Sequence, residues 1–268
     1  MSERAVAEGR LTPPGTVHVR DFGPVPLLEP LCYPGRPVTS PTLLDGELLH
    51  RLDPSYPVAA GRVPVLAVGS NGSPAQLSHK LARASGVSRT VPMEPVLAQG
   101  LAVGLSGHVS RVGYVAASPF LEPGVRGSLL LTWLDPDQLA LVDSTEVPNY
   151  RRVFLPFGAV PVARPDGSRP APEGAYLYVN ARGLLGRPDG SLRPTTDQHA
   201  LLTQLLTESA ALRGLCGSDP TPRGWLRRAS ETPEFANGAT QLLEREGLLV
   251  ERPDFDRFTP DPPHRDPA

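Results

Sequence analysis

An apolar run over residues 63 to 68 breaks into Val68-Gly69-Ser70-Asn71-Gly72-Ser73-Pro74, and this junction constrains the fold more than any other stretch of the chain. A short apolar run closed by turn residues reads as a buried strand. Ser73 then suits a helix N-cap, Pro74 the first helical position, and Gln76 the far side of a capping box. Leu77, Leu81 and Ala84 recur at helical spacing, so the helix is expected to run to about Ser85 and Gly86. Strand, tight loop and helix start, in that order, aim backbone N–H groups and the positive end of a helix dipole at one spot. Such a spot accepts a carboxylate, a phosphate or a developing oxyanion.

Around this junction the chain alternates strand-like and helical patterns. Apolar runs at 96–105, 108–117 and 126–134 read as strands, with Pro119, Pro123 and Gly124 marking a turn between the last two. Asp135-Pro136-Asp137-Gln138 repeats the capping logic and opens a short helix through Leu139 and Val142. Tyr150 to Phe157 is expected to be a strand, 158–174 a Pro- and Gly-dense loop, and Ala175 to Ala181 another strand. Thr196-Asp197 caps a helix whose stripe is Leu201, Leu202, Leu205 and Leu206; two more follow, one after Pro222 and one from Thr232 to about Gly247. Strands in a run, with helices inserted singly and then clustered, predict an α+β chain with a mixed or mostly antiparallel sheet. The segments divide as a Pro-rich arm at 1–62, a core at 63–181, a helical extension at 182–252 and a disordered tail at 253–268.

Composition narrows the function classes. The chain has 268 residues, 40 % of them apolar and 20 % charged, so a packed core is expected. Its 33 prolines are roughly 12 % of the chain, against about 5 % in average usage, and imply many loops. A net charge of −2 without a basic stripe gives no sign of nucleic-acid binding. The N-terminal residues lack the apolar core of a secretory signal, and no run reaches the ~18 apolar residues of a membrane span. Cys32 and Cys216 are too few for a disulfide framework, and the six histidines show no metal-type spacing. A cytoplasmic protein without membrane contact is therefore expected. Lys80, the only lysine, reads as a compositional bias towards arginine.

Two stretches together resemble the γ-glutamylcyclotransferase-like superfamily. The first is Val68-Gly69-Ser70-Asn71 at the end of a strand. The second runs from Arg111-Val112-Gly113-Tyr114 through Gly127-Ser128-Leu129-Leu130 to Asp143-Ser144-Thr145-Glu146 and Tyr150-Arg151-Arg152. Members of that family carry a Tyr-Gly-Ser-Asn loop after the first strand and a short helix ending in Asp-x-x-Glu. The match covers about 65 to 157 and implies a small mixed β-barrel flanked by helices, here with extra C-terminal helices. It departs at Val68, where the family has Tyr, and at Gly72, where a large apolar residue is usual.

The resemblance implies cyclisation of a γ-glutamyl amide to 5-oxoproline with release of an amine. The substrate's own α-amine attacks its γ-carbonyl, so holding the molecule folded supplies much of the acceleration. Glu146 matches the family's acid/base. Val68, Gly69, Ser70, Asn71 and Gly72, with Tyr150 from the next strand, would hold a small γ-glutamyl compound; neither metal nor organic cofactor is implied. The alternative is a small-ligand or anion-binding protein with the same fold, which Val68 favours. Gly104-Leu105-Ser106-Gly107-His108 approaches a nucleophile elbow, but His108 stands where the last glycine belongs and no helix pattern follows.

Overall fold

The computed structural model describes residues 15–170 and 172–258. Strand β1 (Val17–His18) and helix α1 (Val19–Phe22) lead into β2 (Thr42–Asp45), β3 (Leu48–Arg51), β4 (Val63–Ala67) and α2 (Pro74–Ala82). Next come β5 (Thr90–Val109), β6 (Val115–Leu134), α3 (Pro136–Glu146), β7 (Tyr150–Pro156), β8 (Val162–Ala163), β9 (Gly174–Asn180) and β10 (Leu184–Leu185). Helices α4 (Gln198–Glu208), α5 (Ala210–Cys216), α6 (Pro222–Glu231) and α7 (Phe235–Arg245) precede β11 (Leu249–Val250). No helix among the described residues is long and apolar enough to cross a membrane.

The sheet is mixed, in the order β1-β3-β2-β5-β6-β4-β9-β7. Its one parallel pairing among these strands joins β4 to β9, Val65 opposite Tyr176. Two expectations change. The strands do not close into a barrel, because among the described residues β7 pairs only with β9, and β1, two residues long, ends the other edge. β5 and β6 shift register at Gln99/Leu101 and again at Leu105/Val109, where the long hairpin bends. β5 also takes β8 against Leu97 and Ala98, and β10 against Ser106. The three runs at 96–105, 108–117 and 126–134 are in fact one hairpin of two twenty-residue strands, with its turn near Ser110–Tyr114. Pro119 and Pro123 lie inside β6. They are tolerated because β4 pairs only with residues 130–134, leaving one side of β6 without a ladder there.

Alternation along the strands sends side chains to two cores. Val65, Ala67, Leu130 and Leu134 pack with Leu77 and Leu81 of α2 and Leu139 and Val142 of α3. Leu66, Leu129, Leu131 and Trp133 face the other way, onto Val153, Leu155, Leu177 and Val179. The C-terminal helices form a third cluster around Trp225, Phe235 and Leu243, closing over Leu105, Val109 and Val115 near the hairpin end. One of these helices, α5, has no counterpart in the sequence reading.

Both ends of the described chain join this packing. β2 lies along β5, with Leu44 opposite Val91, so part of the Pro-rich segment belongs to the sheet. At the other end Arg252 donates to the Leu121 carbonyl (2.7 Å) and Asp254 accepts from the Leu121 N–H (2.8 Å). Phe255 and Phe258 then sit 4 % and 7 % exposed in the second core. The expectation of a disordered tail is thus wrong for residues 253–258. Two aromatic rings overcome the ordering entropy of a short Pro-rich segment. Residues 1–14 and 259–268 lie outside the described residues.

Phe255→Ala is expected to cost about 3 kcal/mol, in the range of buried aromatic truncations. The denaturant midpoint measures it, and an unchanged midpoint would show that the segment does not pack.

Candidate functional site

The chain leaves β4 at Ala67 and folds into a 3-10 turn before α2. Gly72 N–H bonds Gly69 C=O and Ser73 N–H bonds Ser70 C=O, each at 2.9 Å. Two of the loop's donors therefore close the turn itself rather than opening towards a ligand. Ser73 caps α2 as expected, accepting from Gln76 N–H. Gln76 does not complete a capping box, because its Oε1 accepts from Leu27 N–H (2.9 Å) and ties the N-terminal segment to the helix. The full box forms instead on α3, between Asp135 and Gln138. Gly69 has an ordinary φ of −128°. Its missing side chain matters for another reason: a Cβ there would lie 2.5 Å from the Tyr33 hydroxyl.

α3 runs back from β6 so that its last turn meets this loop. Asn71 Nδ2 donates to Glu146 Oε1 at 2.9 Å, joining residues 75 positions apart. Lys80, from the last turn of α2, completes the cluster. Its Nζ donates to Asn71 Oδ1 (2.7 Å), Thr145 Oγ1 (2.9 Å) and Glu146 Oε1 (3.3 Å). Both side chains of the ion pair are nearly enclosed, Lys80 12 % and Glu146 16 % exposed. They line a cavity of about 760 Å³ together with Val68, Gly69, Ser70, Asn71 and Tyr150. Gly72 does not line it; that residue faces an adjoining apolar cavity of about 580 Å³, which also touches Val68 and Gly69.

Four tyrosines stand around the carboxylate. Tyr33 stacks on Tyr114 at 4.2 Å, and its hydroxyl accepts from Ala117 N–H at 2.7 Å. Tyr150 holds the same residue, donating to Ala117 C=O at 2.7 Å, so its hydroxyl is already engaged. Tyr178 donates to Asp143 Oδ1 at 2.6 Å, and Asp143 pairs with Arg152 at 3.0 Å. Burial, with the charge of Glu146 adding to it, pushes the Tyr114 phenol up to about 12. The phenols of Tyr33, Tyr150 and Tyr178 are pushed well up, above all by burial. All four remain neutral hydroxyls at pH 7.

Deeper in the same wall lies a buried polar network. Ser106 is hydrogen-bonded to His108 Nδ1 and accepts from Asn180 Nδ2. Burial, then the nearby Arg182, brings the His108 imidazole down to about 4. Ser106 is fully buried on a strand, so the near-elbow motif is a core hydrogen-bond network here. Sequence reasoning missed Lys80, Tyr33 and Tyr114. Lys80 carried a signal, being the sole lysine among 26 cationic residues. The tyrosines carried none, since their positions converge only through the sheet. Among the described residues no group of three or more His, Cys, Asp or Glu could hold a metal ion.

No family model matches the sequence, nor does any curated protein. Among solved structures the chain is similar to one described as a γ-glutamyl cyclotransferase, at 14 % identity and TM-score 0.35, covering 45 % of this chain and 68 % of that one. A solution structure from Arabidopsis thaliana aligns at 16 % identity and TM-score 0.38, over 60 % of this chain and 96 % of its own. A yeast γ-glutamyl cyclotransferase specific to glutathione aligns at 12 % identity and TM-score 0.30, over 65 % and 98 %.

Two outcomes follow from this geometry. Gly69→Ala should destabilise by about 1–3 kcal/mol through the clash with Tyr33. Tyr33→Phe should relieve part of that cost in the double variant, a coupling that additive unfolding energies would refute. The second outcome concerns pH. His108 binds its proton more weakly folded (about 4) than unfolded (6.5). Its contribution is therefore complete above pH 6.5 and lost as pH falls towards 4, about 3 kcal/mol over that window. His108→Gln should flatten the slope of urea stability there; an identical slope would contradict the assignment.

Proposed function

We propose that this chain cyclises γ-glutamyl amides to 5-oxoproline and a free amine, with Glu146 as acid and base in turn. One observation carries the reading. The Glu146 carboxylate, which the sequence resemblance marks as the acid/base, is hydrogen-bonded to Asn71 of the loop that the same resemblance marks as the substrate cradle. A cavity large enough for a dipeptide lies against both.

The reaction asks little of the protein. The substrate's α-amine forms a bond to its γ-carbonyl carbon, the bond from that carbon to the leaving nitrogen breaks, and one proton moves from the first nitrogen to the second. Asn71 and Lys80 both bond Glu146 through Oε1, so Oε2 is the oxygen left to carry that proton. The Lys80 ammonium favours the free base of a substrate amine bound beside it, since a like charge disfavours the ammonium form. It also attracts the substrate's carboxylate and opposes the charge of a developing oxyanion. The neutral tyrosine rings wall the cavity, and the loop N–H groups not used inside the turn orient the chain of the substrate.

A second reading is a ligand-binding protein without turnover. It is favoured by Val68, which removes the hydroxyl that the family has at that point, and by the Lys80 contact on Glu146 Oε1. Release of 5-oxoproline from γ-glutamyl dipeptides, γ-glutamylamines and glutathione separates the two. Wild type is expected to turn over at least one, and Glu146→Gln to lose roughly 10²-fold or more while still binding. Binding of 5-oxoproline by an inert wild type would establish the second reading, and equal rates in both proteins would exclude Glu146.

A further inference from the structure

The cluster at Asn71, Lys80 and Glu146 contains the three groups that an amide exchange needs: an amine, a carboxamide and a carboxylate touching both. Lys80 Nζ lies 2.7 Å from Asn71 Oδ1 and 3.3 Å from Glu146 Oε1, and the same Oε1 accepts from Asn71 Nδ2 at 2.9 Å. With a carbonyl bond of about 1.2 Å, Asn71 Cγ lies no more than about 4 Å from Nζ, a small side-chain rotation from attack distance. We propose that Lys80 and Asn71 become joined by an amide cross-link that the protein forms itself, with Glu146 shuttling the proton. The site then applies to its own side chains the chemistry proposed for its substrate. The linked form has no Lys80 ammonium, so the cyclase reading belongs to the chain before the link forms, and the link does not depend on turnover of any substrate.

The step balances without a co-reactant. Lys80 Nζ passes a proton to Glu146 Oε1 along the existing contact. The free amine bonds to Asn71 Cγ, and the tetrahedral adduct collapses. Glu146 returns the proton to Nδ2, and the Cγ–Nδ2 bond breaks. The second proton that Nζ sheds on becoming an amide passes through Glu146 to the departing ammonia, which leaves as ammonium. The product keeps a carbonyl and one N–H, with Nζ still beside Glu146.

Three further observations support the cross-link. The chain uses arginine at every cationic position but this one. An arginine, always charged, cannot act as the nucleophile, whereas a lysine can. Helix α2 and the turn before it hold the amine and carboxamide in register, so little entropy remains to be lost. Finally, the competing attack on Asn71 Cγ by its neighbour's backbone nitrogen is opposed, because Gly72 N–H is held on Gly69 C=O at 2.9 Å.

Intact-mass measurement of the folded chain, after prolonged incubation at about pH 8, tests this. A lysine-specific endoprotease, which has a single target in Lys80, is applied after denaturation. The expected result is loss of one ammonia, about 17 Da, with Lys80 resistant to cleavage, while Lys80→Arg and Glu146→Gln keep the full mass. Full mass with cleavage at Lys80 in wild type would overturn the proposal whatever the variants do. So would a loss of the same mass that persists in Lys80→Arg and is cleaved by hydroxylamine, which marks a succinimide at Asn71-Gly72. Neither readout requires turnover, so this proposal and the cyclase reading can fail separately.

Discussion

The pairing of β5 with β6 is the interaction on which the rest of the structure depends. Its ladder runs from Met93 opposite Thr132 to Val109 opposite Val115. β2, β4, β8 and β10 all attach to one or other of these two strands. Each of the three cores takes side chains from the hairpin, and the site wall from His108 to Ala117 is its far end. The sheet around this hairpin stays open. Strands of twenty residues accumulate twist and bend at their bulges, and the edge strands β1 and β7 lie at opposite ends of the sheet order without pairing.

Charge burial governs the site in turn. An enclosed carboxylate is costly unless it is paired and hydrogen-bonded, and Glu146 has both a cation and an amide donor. Four neutral phenols line the same cavity without adding charge. Lysine suits this position where arginine would not, because its point charge reaches an amide oxygen, a hydroxyl and a carboxylate at once. Residues from α2, α3 and the turn after β4 are thereby locked together, although no backbone ladder connects them.

What was legible in the sequence follows the range of the interactions. Local chemistry was readable: Ser73, Asp135 and Asp197 cap helices because an N-cap depends only on residues within one turn. The Gly69–Asn71 turn and the Asp143–Glu146 helix end were found as motifs, and the structure brings Asn71 and Glu146 into contact. Prolines misled where their cost depends on distant pairing; Pro119 and Pro123 suggest a turn until the absent neighbour of β6 is known. Gln76 fits a capping box by spacing, but a longer-range partner at Leu27 claims its side chain. Tyr33 and Tyr114 are 81 positions apart and stack only because the N-terminal segment crosses the loop.

The central claim is that the turn after β4 and the end of α3 form one ligand site. Backbone amide resonances of Gly69, Ser70, Asn71 and Glu146, followed while 5-oxoproline or a γ-glutamyl amide is added, test it most directly. The account predicts saturable shifts concentrated at these four residues and at Lys80, and retained in Glu146→Gln. Shifts confined to the adjoining apolar cavity, or none at any of the five at millimolar ligand, would contradict it.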